Sequence, residues 1–383
     1  MADPEITPGW REKWLLGRNR WLGDPRFQRW SMRLPGLRRI AEHHANAIFG
    51  VITGFVYTKT LTAVVDAGVI RSLAAAPAST QALADAAGLN GDAMARLLAA
   101  AAAIDLVETL PGDRWTLGQR GAALASNEGA LAMIEHHKLF YDDLADPLPM
   151  LRAGRGGGKL ADFWSYAGAA GRGEPADAAA GPHAQASAAA YSALMAASQP
   201  MVAEQVIAAH DFGRYRHLLD IGGGHGAFVA AVAARHPALG LAILDLPPVA
   251  DAARASLAAR GMGGVAVHGG SFRDDDLPAG ADIVSLVRIL HDHDDAVVAA
   301  LLAKIYKSLP AGGRLLIAEP MAGTRGAEAM GDAYFGLYLW AMGSGRPRTA
   351  GAYAAMLRAA GFVRVREIRT NLPMVTQLLV ADR

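Results

Sequence analysis

The most informative stretch of this 383-residue chain is Asp220-Ile221-Gly222-Gly223-Gly224-His225-Gly226-Ala227. It follows an apolar run at residues 217–221 that predicts a strand, and it opens a predicted helix over 227–235. Glycines at such a strand-to-helix turn let the backbone approach a ligand at the helix N-terminus. Asp245 ends the next predicted strand, where a carboxylate accepts hydrogen bonds from ribose hydroxyls. The sequence therefore predicts a nucleoside site at the carboxyl edge of a parallel sheet.

The rest of the C-terminal half predicts an α/β fold. Strands are expected at residues 265–268, 283–287 and 314–318, separated by helical patterns, as in a Rossmann-like sheet with helices on both faces. The ending differs, because residues 363–369 and 375–381 read as two strands joined by a short turn. We therefore predict a Rossmann-like domain that closes with an antiparallel hairpin.

The N-terminal half predicts helices and one small hairpin. Residues 80–106 show two amphipathic helices around a Gly-Leu-Asn turn, and a hairpin follows over 106–117. This order is typical of a winged helix, which often binds DNA, but the candidate recognition helix offers only Arg96 as a base. The formal net charge of +1 also argues against nucleic acid as a partner. We therefore predict a mostly helical, winged-helix-like domain with a structural or dimer-forming role.

Changes in composition set the expected domain boundaries. Residues 1–45 form a basic, tryptophan-rich extension, residues 46–187 form the helical domain, and residues 188–383 form the cofactor-binding domain. A stretch rich in Gly and Ala separates the last two and reads as a loose connection.

The N-terminal extension interleaves tryptophan with basic side chains. It holds Trp10, Trp14, Trp21 and Trp30 among nine arginines and lysines. Such a segment suits anionic lipid headgroups, so one interpretation is peripheral contact with a membrane surface. The other is a helical arm that packs on the body of the protein or on a partner subunit. Because there is no cysteine, no signal-like segment and no uncharged apolar run of about 18 residues, we expect a cytoplasmic protein, at most peripheral to an inner or intracytoplasmic membrane.

The residues around the glycines indicate which nucleoside binds. Gly222, Gly224 and Ala227 also satisfy the loose dinucleotide pattern, so NAD stays an alternative. Asp220 favours S-adenosylmethionine, because a carboxylate suits its ammonium group and would repel a pyrophosphate. The terminal hairpin and the preceding helical half favour the same choice. We predict S-adenosylmethionine as the cofactor.

A run of acids and histidines, Arg288-Ile289-Leu290-His291-Asp292-His293-Asp294-Asp295, follows the strand at 283–287. It lies at the same sheet edge as the glycine loop, so His291 is placed to take the proton of a hydroxyl that attacks the sulfonium methyl. Glu319, which ends the next strand, is the expected carboxylate on the other ring nitrogen, and Asp292 completes the catalytic set. The histidines and aspartates of this run could instead bind a divalent metal; we favour the base role and expect no metal.

These motifs resemble those of S-adenosylmethionine-dependent O-methyltransferases, the family of plant caffeate and flavonoid enzymes and bacterial polyketide and carotenoid enzymes. The resemblance extends from Phe55 to the end of the sequence and rests on the glycine loop, Leu244-Asp245-Leu246-Pro247, Leu290-His291-Asp292 and Leu316-Ile317-Ala318-Glu319-Pro320. It implies that His291 is the base, Glu319 a flanking carboxylate and Asp245 the ribose ligand. It also implies that the helical half is a dimerisation domain and that the protein is a homodimer. The expected cofactor-binding residues are Asp220, Gly222, Gly224, Asp245, Leu246, Ser271, Phe272 and Arg288.

Two departures from the family pattern bear on the site. Members usually carry an Asp in the loop after the third strand, near the adenine, whereas this chain has Gly270-Ser271-Phe272, so Ser271 makes any such contact more weakly. The second flanking carboxylate usually precedes an Arg-Thr pair, and Pro347 stands in that place before Arg348-Thr349. The second departure hints at an acceptor unlike an ordinary phenol.

Within the family, residues 8–22 and 345–349 look most like the bacterial carotenoid enzymes. This similarity implies an apolar hydroxylated acceptor, the tertiary hydroxyl of an acyclic carotenoid. A phenolic or polyketide acceptor is the alternative, and a regulator with a ligand-sensing methyltransferase-like domain is the alternative of another class. The expected pocket wall comprises Met195, Tyr334, Trp340 and Met342, although residues at this helical spacing equally suit a plain core.

Overall fold

The computed structural model describes residues 9–163 and 198–383, and the chain divides into two compact units, Met1–Ser126 and Asn127–Arg383. The first unit is mostly helical. Its helices are α1 (Trp10–Gly23), α2 (Pro25–Ser31), α3 (Pro35–Asp66), α4 (Val69–Ala75), α5 (Thr80–Ala87), α6 (Gly91–Ala103) and α7 (Gln119–Ala125). Its strands are β1 (Ala78–Ser79), β2 (Val107–Leu110) and β3 (Arg114–Leu117), and β3 lies between the other two in an antiparallel sheet.

Local chemistry explains the helix pair of the first unit. The Ser79 hydroxyl accepts a hydrogen bond from the N–H of Ala82 at 3.2 Å and caps α5, and the Asn90 side chain does the same for α6 at the N–H of Ala93, at 2.7 Å. Gly88 ends α5 with a φ of +66°, in the left-handed region. The expected order of two helices and a hairpin is therefore present.

Helix α3 differs from the sequence-based expectation. We expected no segment able to span a bilayer, but α3 is long and apolar enough to do so by length and composition. The reason is that Lys59 and a few small polar residues interrupt its apolar run without lowering its hydropathy far. Much of its surface is exposed in this chain, including Val51 at 83% and Phe55 at 70%. Exposed apolar surface of this kind marks an interaction site.

The second unit holds a seven-stranded sheet between helices. Its strands are β4 (His217–Ile221), β5 (Gly240–Asp245), β6 (Ala266–Gly269), β7 (Ile283–Val287), β8 (Arg314–Glu319), β9 (Val363–Ile368) and β10 (Gln377–Asp382). Its helices are α8 (Glu128–Asp143), α9 (Pro147–Ala153), α10 (Lys159–Phe163), α11 (198–209), α12 (Ala227–Arg235), α13 (Pro247–Ala259), α14 (Asp295–Ser308), α15 (Phe335–Met342) and α16 (Ala350–Ala359). A 3₁₀ turn (Leu290–Asp292) follows β7, and a π-helix (Ala329–Tyr334) precedes α15.

The strand order is β6-β5-β4-β7-β8-β10-β9, and only β10 runs antiparallel to its neighbours. The order reverses between β4 and β7, and ligands of such sheets bind at the carboxyl ends of the strands at that reversal. The predicted Rossmann-like sheet with a terminal antiparallel hairpin is therefore confirmed. The carboxyl ends of β4, β5 and β7 carry the predicted site residues to one edge.

The helices α8 and α10 pack with α15, where Phe140, Leu160 and Leu339 share a buried cluster. They therefore belong to the same compact unit as the large sheet, which begins at Asn127. The expected boundary between residues 187 and 188, most of the Gly/Ala-rich connection and the start of the helix before β4 lie outside the described residues.

Candidate active site

The glycine loop between β4 and α12 holds three residues in the left-handed backbone region. The φ angle is +71° at Gly222, +54° at Gly224 and +79° at Gly226, values that favour glycine. A Cβ on Gly222 would lie 2.3 Å from Cδ1 of Ile289, whereas a Cβ on Gly224 would meet no atom within 4 Å. Gly222 therefore packs tightly against the loop after β7, and Gly224 leaves open space where a ligand can approach the backbone.

Asp245 joins this loop to the end of β5. Its carboxylate accepts hydrogen bonds from the N–H groups of Gly224 and Leu246, both at 2.8 Å. Burial raises the pKa of this carboxyl, and the two N–H groups oppose the rise. Each carboxylate oxygen has a second lone pair, so Asp245 retains acceptors for a pair of ribose hydroxyls. The donor and acceptor set at this position fits a nucleoside.

Asp220 lies beneath the glycine loop. It is 1% exposed, and the hydroxyl of Ser285 donates a hydrogen bond to its Oδ1 at 2.5 Å. Burial raises its pKa to about 7, while the bond from Ser285 opposes the rise. A Cβ on Gly223 would lie 2.9 Å from Oδ2, so the carboxyl group is directly under the loop backbone. The predicted contact of Asp220 with an ammonium group stays a prediction. In the structure, Asp220 supports the glycine loop together with Ser285, a residue that the sequence did not single out.

The loop after β6 reaches the same edge. The N–H of Gly270 donates to the carbonyl of Asp245 at 2.9 Å and so ties this loop to β5. The hydroxyl of Ser271 donates to Asp274 at 2.9 Å, and Phe272 packs against the main core. This loop therefore begins beside Asp245, and the Ser271 hydroxyl is already bonded to an acid. The adenine contacts of Ser271 and Phe272 stay a prediction.

His291 lies in the 3₁₀ turn after β7 and is 5% exposed. Its Nδ1 bonds Oε2 of Glu319, which is fully buried at the end of β8. The other oxygen of Glu319 accepts from the N–H groups of Ile289 at 2.9 Å and Leu290 at 2.6 Å. Because these bonds fix the carboxylate as an acceptor, Nδ1 carries the hydrogen and Nε2 is the basic atom of the neutral ring.

Asp292 lies on the other side of the imidazole, with Oδ1 3.1 Å from Nε2 of His291. Burial lowers the pKa of His291, but the carboxylates of Asp292 and Glu319 outweigh burial, so the pKa lies above its ordinary value. Burial also raises the pKa of Asp292, against the effect of His291. The imidazole thus lies between two acids. Asp292 is the second acid, whereas the family pattern has a carboxylate at the position of Pro347.

Arg348 holds the turn that carries His291. It is 1% exposed, and its guanidinium donates to the carbonyl of Leu290 at 2.8 Å and to that of His293 at 2.7 Å. The same group bonds Oδ1 of Asp295 at 2.9 Å and 2.6 Å. Sequence reasoning noted Arg348 only as part of a motif, because nothing local in the sequence shows that its side chain is buried under this turn.

A second segment packs on the same turn. The φ of Gly345 is +74°, and a Cβ there would lie 2.0 Å from the carbonyl oxygen of His291. The N–H of Arg346 donates to that carbonyl at 2.9 Å, and the hydroxyl of Ser344 donates to the carbonyl of Asp292 at 2.8 Å. Backbone contact this close requires glycine.

The other acids and histidine of this run have separate partners. The guanidinium of Arg273 lies 3.1 Å from Nδ1 of His293, Asp294 accepts from Arg155 at 2.8 Å, and Asp295 pairs with two arginines. Burial, with Arg273 next, lowers the pKa of His293 to about 3. Within residues 9–163 and 198–383, no three His, Asp or Glu side chains come together as a group that could hold a metal ion.

Arg288, another predicted cofactor residue, ends β7 in an unusual backbone conformation. Its φ is +59°, which is uncommon for a residue other than glycine. Its N–H donates to the carbonyl of Ala318 at 2.9 Å, and its Nη1 donates to the hydroxyl of Ser198 at 2.7 Å. The structure therefore turns Arg288 away from the strand direction at the sheet edge.

An aromatic wall lies beside His291. Phe335 contacts the imidazole edge-to-face, with ring centroids 5.4 Å apart, and the ring of Tyr334 is 4.9 Å from that of Phe335. Two imidazole–phenol hydrogen bonds brace this wall, His137 to Tyr334 at 2.8 Å and His136 to Tyr338 at 2.6 Å. The sequence pointed to Tyr334 but not to Phe335, although the two are neighbours in the same apolar run.

The remaining pocket residues differ in their surroundings. Met342 is fully buried in the cluster around Phe140 and Leu339, as in a plain core. Trp340 is half-buried, and its Nε1 has no hydrogen-bond partner among the residues that the structure describes. Met195 lies outside the described residues.

The topology and the edge chemistry define a class of protein. The sheet inserts its last strand, β10, antiparallel between two neighbours, and it carries a glycine loop at the strand-order reversal and a ribose acceptor after β5. This combination is typical of nucleoside-dependent group-transfer domains of the methyltransferase type. The open space at Gly224 and the acceptors of Asp245 fit S-adenosylmethionine.

Known families and proteins match most of the chain. The O-methyltransferase domain matches residues 142–363, and the O-methyltransferase dimerisation domain matches residues 49–127. The chain is 40% identical to demethylspheroidene O-methyltransferase of Cereibacter sphaeroides over 366 residues, which covers 95% of this chain and 94% of that protein. It is 41% identical to the Rhodobacter capsulatus enzyme of the same name over 354 residues, with coverage of 92% and 85%.

A solved structure agrees with these matches. A methyltransferase of calicheamicin biosynthesis, in its S-adenosylhomocysteine-bound form, is 26% identical with a TM-score of 0.68, covering 88% of this chain and 98% of that one. The chain belongs to the S-adenosylmethionine-dependent O-methyltransferase family. It is therefore an enzyme that transfers a methyl group from S-adenosylmethionine to a hydroxyl, which disfavours the ligand-sensing regulator. Its dimerisation domain indicates a homodimer.

Proposed function

We propose that the acceptor is the tertiary hydroxyl of an acyclic carotenoid of the demethylspheroidene or hydroxyneurosporene type. The observation that carries this proposal is the 40% identity to a demethylspheroidene enzyme over 95% of the chain. The alignment leaves out fewer residues of this chain than the 45 of the N-terminal extension. It must therefore include part of that extension, ahead of the dimerisation domain that begins at residue 49. The extension is thus a feature shared with a relative named for this acceptor.

We assign the proton transfer to His291. Glu319 holds Nδ1–H, so Nε2 accepts the proton of the acceptor hydroxyl, and both Glu319 and Asp292 stabilise the imidazolium that results. When bound, S-adenosylmethionine supplies an electrophilic methyl on a sulfonium centre. Asp245 and the loop at Gly224 would hold it.

The low acidity of the proposed acceptor hydroxyl requires a strong base. An alcohol is a far weaker acid than a phenol, so its proton leaves as the carbon–oxygen bond forms rather than beforehand. Two acids beside His291 strengthen the base by raising its pKa. Positioning of the hydroxyl then supplies much of the rate.

The aromatic wall suits an apolar acceptor. We propose Tyr334, Phe335 and Trp340 as its lining, while the buried Met342 supports the wall by packing.

Location follows from the acceptor. A long polyene dissolves in the membrane, so the enzyme works in the cytoplasm at a membrane surface. We propose that residues 1–45 serve this location, that residues 46–187 serve dimerisation, with α8 and α10 also supporting the wall beside His291, and that residues 188–383 serve catalysis.

The acceptor is tested with labelled S-adenosylmethionine and two sets of acceptors, a hydroxylated acyclic carotenoid in detergent and a panel of soluble phenols. We expect label in the carotenoid alone. Label in the phenols alone would keep the family and refute the carotenoid proposal.

The base is tested by His291→Ala, with His217→Ala as the matched control, because His217 is exposed at the opposite end of β4. We expect His291→Ala to lower kcat by about 10²-fold or more and to leave the Kd of S-adenosylmethionine nearly unchanged. Turnover near that of the control would refute the assignment. Loss of activity with EDTA and recovery with Mg²⁺ would favour the metal alternative instead.

A further inference from the structure

Helix α1 carries a stripe of exposed tryptophans. At 3.6 residues per turn, Trp10, Trp14 and Trp21 project within about 40° of one another around the helix axis. They are 82%, 58% and 65% exposed, and no residue of α1 is buried. If α1 packed its aromatic face on the body of this unit, these tryptophans would be buried. We refer to these three residues as the tryptophan stripe.

Basic side chains border the stripe on both sides. By the same helical geometry, Arg11 and Arg18 lie on one border and Lys13 and Arg20 on the other. The guanidinium of Arg18 lies 5.3 Å from the ring centroid of Trp14. The only acidic residue of α1, Glu12, lies on the opposite side of the helix from the stripe. An aromatic band between two cationic borders suits the headgroup region of a membrane, where indoles settle and arginines meet phosphates.

The aromatic surface continues from α1 onto α2, and the residues between the two helices set where α2 begins. The Asp24 side chain accepts from the N–H of Arg26 at 2.7 Å and caps α2, and Pro25 occupies its first position. Trp21 lies 5.5 Å from Phe27, and Phe27 lies 5.9 Å from Trp30, which is 51% exposed. The stripe and Trp30 therefore form one aromatic surface across the α1–α2 corner.

Charge and position argue for lipid rather than a second copy as the occupant. Residues 10–34 contain seven basic and two acidic side chains, so the surface complements anionic headgroups and would repel its own copy. The stripe also precedes the dimerisation domain, which begins at residue 49. The exposed apolar face of α3, by contrast, extends into that domain.

We propose that the tryptophan stripe, with Trp30 and the basic borders, docks the enzyme on the anionic phospholipid surface of a membrane. The indole rings insert at headgroup depth and the arginines and Lys13 bind lipid phosphates. The purpose of docking rests on the proposed carotenoid acceptor, because a membrane-dissolved substrate is reached from that surface; the docking itself does not depend on which acceptor is used.

The test is flotation of the full-length protein with vesicles of phosphatidylcholine alone or mixed with phosphatidylglycerol. Three variants are compared: Trp10→Ala/Trp14→Ala/Trp21→Ala, Arg11→Gln/Lys13→Gln/Arg18→Gln/Arg20→Gln, and the control Glu12→Ala on the opposite face. We expect wild type and control to float with the anionic vesicles. The tryptophan variant should bind at least about tenfold more weakly, and the charge variant about 10²-fold more weakly.

Methyl transfer in detergent and sedimentation velocity separate the alternatives. All variants should keep wild-type kcat and remain dimeric. Wild type that does not float, or a tryptophan variant that floats like wild type, would overturn the proposal, the latter by assigning binding to another surface such as α3. A tryptophan variant that becomes monomeric would also overturn it and assign the stripe to a second copy. Wild type that floats but leaves carotenoids unmethylated would refute the acceptor and not the docking.

Discussion

Replacement of Arg348 by lysine tests how the turn that carries His291 is held. The change keeps a positive charge beside Asp295 but removes the planar group that donates to the carbonyls of Leu290 and His293 together. An ammonium at this position reaches one of the two carbonyls. One buried acceptor without a donor costs about 1–3 kcal/mol. We expect the free energy of unfolding to fall by about 2 kcal/mol and the apparent Tm by about 4–8 °C.

Activity should fall further than the lost stability explains. Misplacement of a catalytic group by about 1 Å costs about 10²-fold in rate. We therefore expect Arg348→Lys to lower kcat by about 10- to 10²-fold, measured well below its Tm, while KM for S-adenosylmethionine changes by less than about twofold. Such a split between kcat and KM identifies a positioning residue, because simple unfolding would lower the amount of active enzyme without changing the apparent kcat per folded molecule.

Arg346→Lys is the matched control. The Arg346 guanidinium binds the same Asp295 but its side chain is 50% exposed, so its ion pair contributes little. We expect the control to change kcat by less than about twofold. If Arg348→Lys and the control have equal kcat values, the buried guanidinium does not position His291 and the reasoning is wrong.

Three further outcomes follow from the site. In the pH profile of kcat/KM, the acidic limb should have an apparent pKa above 6.5, because the base must be neutral and two acids raise the pKa of His291. Asp292→Asn should move this acidic limb to lower pH, and an unmoved limb would contradict the role of Asp292. Gly345→Ala, whose Cβ would lie 2.0 Å from the His291 carbonyl, should lower both Tm and kcat, whereas Gly336→Ala, whose Cβ meets nothing within 4 Å, should lower neither. Burial raises the pKa of Asp220 from 3.8 to about 7, so the folded protein loses stability as pH increases through that interval. Asp220→Asn should show a smaller loss of Tm than wild type between about pH 4 and 7, and equal losses would refute this.

Sequence patterns predicted the large sheet well because they are local. The bounds of β4 and β7 agree with the expected strands, and β5 ends at Asp245 as expected. Strand β8 extends one residue past its expected end, and β6 is shifted by one residue at both ends. Buried parallel strands are continuous apolar runs that end at glycines or acids, so both their extent and their carboxyl edge can be read directly. The pairing of His291 with Glu319 followed from the same logic, since neighbouring parallel strands bring their ends together.

The supporting side chains were not predictable in the same way. Arg348, Phe335 and Ser285 act through contacts between residues far apart in the chain, and each has an ordinary surface or core role by composition alone. The burial of Asp220 was also missed, because a carboxylate before a glycine loop gives no sign of whether it lies above or beneath the backbone. Helix α3 was missed for another reason, since a strict requirement for an uncharged run excluded it at Lys59.

The position of β10 has a consequence for synthesis of the chain. This strand pairs with β8 on one side and β9 on the other, and all six of its residues are buried. Its partner β8 leaves the ribosome about 60 residues earlier, roughly 3–12 s at the usual elongation rate of about 5–20 residues per second. Throughout that interval β8 presents an unpaired edge to the cytosol, and exposed edges of this kind template association between nascent chains. Translation speed across residues 320–376 therefore governs how long each new molecule is exposed to aggregation, and a pause there is the condition under which chaperone binding matters most.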